Sequence, residues 1–301
     1  MKAIIEIGTN SLKLLVFKTD PLFEVVLDRT IITRMGEGYN QTGQISLRAL
    51  KRNIEEIEEC LKVIKSYQCS DVSLYGTMIF RSARNSEDVL NKIYQGTGLV
   101  LHVITGDQEA EYSFLAAMDS FPSNNENILV IDTGGGSTEF IFGKNRKVEI
   151  AKSIDVGAVT LTERFGLDCE VDATTLLKCD DFLFSKFRDI KEDFVPRAII
   201  GIGGTVTTLA SIIQKLESYS VSKIHGAKVN LKDIIELEAE LASKNIEKRK
   251  SIIGLSPKRA DIILGGILIV KSILMKYGVN EMLVCDHGLR YGLALKEGRK
   301  Q

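Results

Sequence analysis

The sequence predicts an α/β protein of two domains, and three observations carry that expectation. The first is Ile131-Asp132-Thr133-Gly134-Gly135-Gly136-Ser137-Thr138-Glu139-Phe140, where an apolar run from Ile128 to Ile131 delivers an acid onto three glycines. Apolar runs bounded by glycines read as buried strands, and a returning run follows from Phe140 to Phe142. The second is Ala3-Ile4-Ile5-Glu6-Ile7-Gly8-Thr9-Asn10-Ser11, which repeats the design of strand, acid, glycine and hydroxyl-rich tip, with Leu12 to Phe17 as the returning strand. The third is length: 301 residues exceed one typical core and fit two.

Each tip is chemically suited to phosphate. Glycines let backbone N–H groups turn toward an anion with no side chain in the way. A carboxylate at a strand end can hold a hydrated divalent cation against that anion. One such turn would be an ordinary hairpin; two of them suggest a duplicated architecture. At this level the chain resembles the actin, Hsp70 and sugar-kinase superfamily. The resemblance implies a two-domain actin-like ATPase (ASKHA, ribonuclease H-like) fold, with the active site in the interdomain cleft.

The remaining elements follow in order. A third strand is expected from Phe23 to Leu27, then a loop through Arg34-Met35-Gly36-Glu37-Gly38. Ser46 caps a helix whose apolar positions Leu50, Ile54, Ile57, Leu61 and Ile64 recur at helical spacing. Val72 to Tyr75 and Leu99 to Ile104 read as strands, and a helix opens after Thr105-Gly106. The polar stretch around Pro122 to Asn127 marks the domain boundary, giving domains 1–122 and 123–301. Asp180 to Asp193 and Asp233 to Arg249 are charged and read as exposed helices. Ala198 to Ile202 is a strand running into Gly203-Gly204-Thr205, with a helix over Val206 to Ile213. Asp261 to Met275 is a buried helix with Gly265 and Gly266 in close contact. Met282 to Cys285 is a strand, and a terminal helix over about 287–301 is expected to pack back on the first domain.

Composition narrows the function classes. Hydrophobic residues make up 44% and charged residues 26%, the balance of a globular protein, and a formal net charge of −1 gives no global bias toward nucleic acid. Five cysteines without metal-site spacing read as reduced thiols. With no apolar run long enough to span a bilayer and no cleavable signal pattern, the expected compartment is the cytoplasm, with neither DNA nor membrane as partner. His102, His225 and His287 are too dispersed for a metal cluster and are expected to be structural.

Three further segments choose among kinases, chaperones and phosphohydrolases: Thr77-Met78-Ile79-Phe80-Arg81-Ser82-Ala83-Arg84-Asn85, Ile104-Thr105-Gly106-Asp107-Gln108-Glu109-Ala110, and Gly201-Ile202-Gly203-Gly204-Thr205-Val206. With Gly157-Ala158, His225-Gly226, Gly254-Leu255-Ser256-Pro257-Lys258-Arg259-Ala260-Asp261 and Asp286-His287-Gly288-Leu289-Arg290-Tyr291-Gly292, they resemble the exopolyphosphatase / guanosine pentaphosphate phosphohydrolase family (Ppx/GppA) over nearly the whole chain.

The resemblance implies roles. Glu109 is the water-activating base, Arg81 neutralises phosphate, and Asp132 holds Mg²⁺, with Mn²⁺ as the alternative. Glu139 positions water or metal, or sits in a strand–strand ion pair. Thr9, Asn10, Ser11, Lys13, Arg34, Gly134, Gly135, Gly136, Ser137, Thr138 and Arg290 bind substrate phosphate, and Gly203, Gly204 and Thr205 line the channel for the rest of it. Glu6 is the second metal residue. The family usually has aspartate where this chain has Glu6 and arginine where it has Lys13. Lysine loses the planar fork that grips phosphate in bidentate fashion.

The implied substrate is inorganic polyphosphate, releasing terminal orthophosphate by metal-assisted attack of water. The alternative is guanosine pentaphosphate (pppGpp) at the same site, and a polyphosphate- or nucleotide-binding regulator with little turnover is the competing class. Longer family members carry a C-terminal HD-type region. This chain is expected to be a short form without it, as monomer or homodimer.

Overall fold

The computed structural model describes residues 1–20, 23–121, 126–145, 147–191 and 193–298. Two mixed sheets organise the chain. The first contains β1 (Lys2–Ile7), β2 (Ser11–Lys18), β3 (Glu24–Ile32), β4 (Asp71–Gly76) and β5 (Leu101–Val103), in the order β3-β2-β1-β4-β5. The second contains β6 (Ile128–Thr133), β7 (Thr138–Lys144), β8 (Lys147–Ile154), β9 (Ala198–Ile202), β10 (Lys228–Asn230) and β11 (Glu281–Cys285), in the order β10-β11-β9-β6-β7-β8. In each, an antiparallel hairpin carries the tip acid, and its first strand pairs in parallel with a later one: β1 with β4, β6 with β9.

The chain forms two compact units, one from Met1–Tyr112 with the segment from Leu289, the other Ser113–Gly288. The division falls inside the helix Gly106–Ser120. Composition points to the polar stretch 122–127, of which 122–125 lie outside the described residues, because a helix that runs on past a boundary keeps its own periodicity. The terminal helix Leu289–Gly298 packs on β1 and β2.

Period-2 alternation buries Ala3, Ile5, Ile7, Leu12, Leu14 and Val16 on one face of the first sheet, against the helix Leu47–Ser66. That helix starts as expected: the Ser46 hydroxyl accepts from the Ala49 N–H at 3.2 Å. In the second unit Leu129, Ile131, Phe140 and Phe142 face a core shared with the helix Ile263–Lys276. Gly265 and Gly266 make that packing possible. A Cβ at Gly265 would stand 2.8 Å from the Ala158 carbonyl oxygen, and one at Gly266 2.4 Å from the Thr205 methyl.

Several boundaries differ from expectation. Of the charged segment 180–193 only 180–187 is helical, in a helix that begins earlier, Ala173–Phe187, capped by Asp172 and burying Cys179, Leu183 and Phe187. The segment 233–249 is two helices, Leu231–Ala242 and Ile246–Lys250, because Asn245 caps a fresh N-terminus by accepting from the Lys248 N–H. Arg249 anchors the second, donating to the carbonyls of Leu241 at 2.9 Å and Leu167 at 2.6 Å from full burial. The edge strands β8 and β10 had no clear apolar signature, since edge strands carry charge on their open side.

Arg290 is the main correction. Expected to grip substrate, it instead forks onto Asp28 of β3, with Nε to Oδ1 at 2.8 Å and an amino nitrogen to Oδ2 at 2.6 Å, while the Tyr291 hydroxyl donates to the same carboxylate. At 6% exposure its guanidinium is committed to holding the terminal helix on the sheet. Removing one partner strands the other in low dielectric. Arg290→Met is therefore expected to cost about 3–5 kcal/mol in urea denaturation, and Asp28→Asn with Arg290→Met less than the single change. A double-variant loss equal to the sum of the Arg290→Met and Asp28→Asn losses would show that the pair contributes no coupling.

Candidate active site

In the unit that begins at Met1, the parallel strands β1, β4 and β5 end at one edge of their sheet, and ligands of open α/β sheets bind beyond carboxyl ends of this kind. The β1–β2 turn is closed by Gly8 N–H donating to the Ser11 carbonyl at 2.9 Å, with Thr9, Asn10 and Ser11 buried. The Arg34–Gly36 loop clasps it: Arg34 N–H donates to the Asn10 carbonyl and Gly36 N–H to the Thr9 carbonyl at 2.8 Å. A Cβ at Gly36 would fall 2.3 Å from the Thr9 methyl, so this approach needs a glycine.

Beyond β4 the short helix Met78–Ser82 carries Arg81. Beyond β5 the helix Gly106–Ser120 opens on a reciprocal cap, with Thr105 Oγ1 accepting from the Gln108 N–H and Gln108 Oε1 from the Thr105 N–H. That cap fixes the first turn, which presents Glu109. Arg81 donates to Glu109 Oε2 at 2.8 Å and to the Ile104 carbonyl at 2.9 Å. The Glu109 residue is 7% exposed. The structure thus joins the expected base and the expected phosphate-neutralising cation. It also joins Glu6 and Lys13, which face each other across β1 and β2 at 2.7 Å.

In the second unit the triple-glycine turn links β6 to β7, with Gly134 N–H donating to the Ser137 carbonyl at 3.0 Å. The carbonyls of Gly134 and Gly135 accept from the first N–H groups of the helix Ala158–Phe165: Ala158 at 2.9 Å, Val159 at 2.8 Å and Thr160 at 3.2 Å. In a trans peptide the N–H lies opposite the preceding carbonyl. The N–H groups of Gly135 and Gly136 therefore point away from that helix, the orientation an anion-binding turn requires. Asp132 is half-buried at the end of β6, where Ser113 Oγ donates to its Oδ2 at 3.3 Å. Gly203 abuts it.

The other expected residues divide. Thr138 is fully buried and its hydroxyl donates to the Val156 carbonyl at 2.7 Å, so it closes the β7–β8 side rather than offering a phosphate donor. Glu139 is 1% exposed and accepts from Ser153 Oγ at 2.8 Å; it is the direct cross-strand neighbour of Asp132. Thr205 packs its methyl toward Gly266, and Gly204 lies under the Arg259 guanidinium. Arg259 is not among the site residues expected from the sequence. Burial pushes its pKa down, while Tyr219 and Asp261 pull it up.

His225 stacks between Phe121 and His287, and burial lowers its pKa against the opposing pull of Asp286. All five cysteines are free, and burial raises the Cys60 and Cys179 thiols to about 11, with Glu56 and Asp180 adding to the effect.

Comparison with known proteins places the chain in a family. The model of the Ppx/GppA phosphatase family matches residues 15–300. The chain belongs to the Ppx/GppA phosphatase family. A curated relative, the bifunctional 3-dehydroquinate synthase/phosphatase of Fusobacterium nucleatum, is 31% identical over 98% of this chain, which spans 46% of that protein. Exopolyphosphatase 2 of Mycobacterium tuberculosis is 29% identical, with 97% of each chain covered. The solved structure of the Aquifex aeolicus family member shares 31% identity over 99% of this chain and 97% of that one, at a TM-score of 0.83. The fold is the expected actin-like ATPase class. Among the described residues no helix is long and apolar enough to cross a membrane.

The residues present fit a hard divalent cation of the kind this family's phosphoryl chemistry calls for. Glu6 Oε2 is buried without a hydrogen-bond partner. Asp132 and Glu139 place two carboxylates on one face at adjoining strand positions, a juxtaposition that a cation relieves. No group of three or more His, Cys, Asp or Glu side chains among the described residues forms a ready cage.

Gly203 adopts φ +90° and ψ 170°, a region open essentially to glycine alone, and a Cβ there would stand 2.5 Å from Asp132 Oδ1. Gly203→Ala is expected to cost about 1–3 kcal/mol in denaturation from strain alone. It should also raise the metal concentration for half-maximal phosphate release, and an unchanged metal dependence would separate Gly203 from the Asp132 site.

Proposed function

We propose that this chain is an exopolyphosphatase, releasing terminal orthophosphate from inorganic polyphosphate. The observation that carries the reading is the Arg81–Glu109 pair, a guanidinium and a carboxylate 2.8 Å apart beside the first glycine turn. Phosphoanhydride hydrolysis needs these two functions side by side: charge neutralisation on the phosphoryl oxygens and an acceptor for the water proton. Family membership and the exopolyphosphatase names of relatives that cover nearly all of this chain support the substrate class.

In this reading, the Arg81 guanidinium neutralises the terminal phosphoryl group, and N–H groups of a glycine turn donate to phosphate oxygens. A water oxygen bonds to phosphorus, the bridging P–O bond breaks, and the electron pair leaves on the shortened chain. Glu109 accepts the proton from the water. A Mg²⁺ ion, for which Asp132 and Glu6 are the candidate carboxylates, would supply further neutralisation of phosphate charge. Guanosine pentaphosphate presents the same triphosphate-like end. Phosphate release from long-chain polyphosphate and from pppGpp, measured under one condition, should favour polyphosphate; the reverse ratio would reassign the substrate.

Glu109→Gln keeps the shape of the side chain but cannot accept the proton. It should lower hydrolysis by about 10²–10⁴-fold while polyphosphate binding persists, because a positioned base contributes that much. Turnover at the wild-type rate would remove Glu109 from the base role. Asp132→Asn should raise the Mg²⁺ concentration required, since a neutral oxygen holds a hard cation less well.

A further inference from the structure

Glu6 and Lys13 are direct partners across the β1–β2 pair, on the face opposite the core residues Ala3, Ile5 and Ile7. Their side chains are 4% and 16% exposed, so the pair is withdrawn from water and is not a solvent-screened surface bridge. The ammonium engages only one carboxylate oxygen, Oε1 at 2.7 Å. The other, Oε2, is buried and unpartnered, a state that buried carboxylate oxygens rarely keep. Asn10 at the turn likewise has a buried amide nitrogen without a partner. The hairpin is therefore charge-balanced but not hydrogen-bond-balanced. Its cation is a flexible four-carbon arm one strand away from the glycine turn.

We propose that Glu6 and Lys13 form an exchangeable pair in which Lys13 is a tethered counter-ion for the tip carboxylate. In the free protein the Lys13 ammonium neutralises Glu6 and is withheld from phosphate. When a divalent cation is present at the carboxylate, Lys13 leaves Oε1 and donates to a phosphate oxygen of the substrate. Phosphate affinity of this hairpin thus becomes conditional on metal. Glu6 and Lys13 are positioning and specificity residues here, and the inference rests on the polyphosphate reading above.

Calorimetric binding of imidotriphosphate, a nitrogen-bridged analogue that resists hydrolysis, tests the exchange. Without metal, Lys13→Met should weaken binding by less than about twofold, because the ammonium is already spent on Glu6. With saturating Mg²⁺, or without metal in a Glu6→Gln background, the same change should weaken binding by about tenfold, the size of one charge-assisted hydrogen bond. An equal cost in all three settings would overturn the exchange and leave the pair a structural strut. If wild type with Mg²⁺ fails to bind the analogue at all, the polyphosphate reading falls and the exchange falls with it. Should Lys13→Met alone not fold, Glu6→Gln is compared with the double variant, which leaves no lone buried charge. Tighter metal-free binding in Glu6→Gln that vanishes in the double variant supports the exchange, and tightening that persists overturns it.

Discussion

Residues directly opposite in an antiparallel pair share a face, so the register of β1 on β2 and of β6 on β7 decides which side chain each tip acid meets. In the first hairpin Glu6 meets Lys13, and the acid is neutralised within the protein. In the second Asp132 meets Glu139, and two acids share one face, with Ser113 donating to one and Ser153 to the other. The duplicated architecture is thus electrostatically unequal. One tip acid faces a cation across the strands and the other faces a second acid. A slip of a single residue in either register would turn these acids into the core and the apolar residues out, so the burial of Ile5, Ile7, Ile131 and Phe140 is what holds the chemistry in place.

The second unit achieves its turn by crowding. Gly157 brings the start of the helix Ala158–Phe165 against the triple-glycine turn so closely that a Cβ would stand 2.5 Å from the Gly135 backbone. The helix dipole and its unsatisfied N–H groups are spent on the carbonyls of the turn, not on ligand. The consequence is indirect but useful: with the carbonyls held on one side, the N–H groups are pre-oriented on the other. Backbone atoms cannot yield as a flexible side chain can, which makes this contact a rigid template.

Arginine serves four different ends in this chain, and the surroundings decide which. Arg249 is fully buried and caps carbonyls, holding a short helix to the loop around Leu167. Arg290 forks onto Asp28 and seats the terminal helix. Arg259 lies against Gly204, partly stripped of water. Arg81 shares its guanidinium between the Ile104 carbonyl and Glu109, which leaves it partly exposed at the carboxyl edge of the sheet. Only the last combination, a cation beside a nearly buried acid at a strand edge, suits phosphoryl transfer.

The two hairpins, the α/β class, the Ser46 cap and the buried glycine-bearing helix were legible because they are local. Alternation, glycine turns and capping residues act within a few positions of one another and leave their mark on the string. What stayed hidden involves partners remote in sequence. Arg290 looked available for phosphate until Asp28, from a distant strand, closed on it. Thr138 looked like a donor until the Val156 carbonyl took its hydroxyl. Glu6 and Lys13 read as two separate departures, and only strand register made them one pair. A residue's type and neighbours in the chain determine what chemistry it can offer. Whether that chemistry is spent inside the protein or kept for a ligand depends on which hydrogen-bond partner folding brings within reach, and that is decided by tertiary structure.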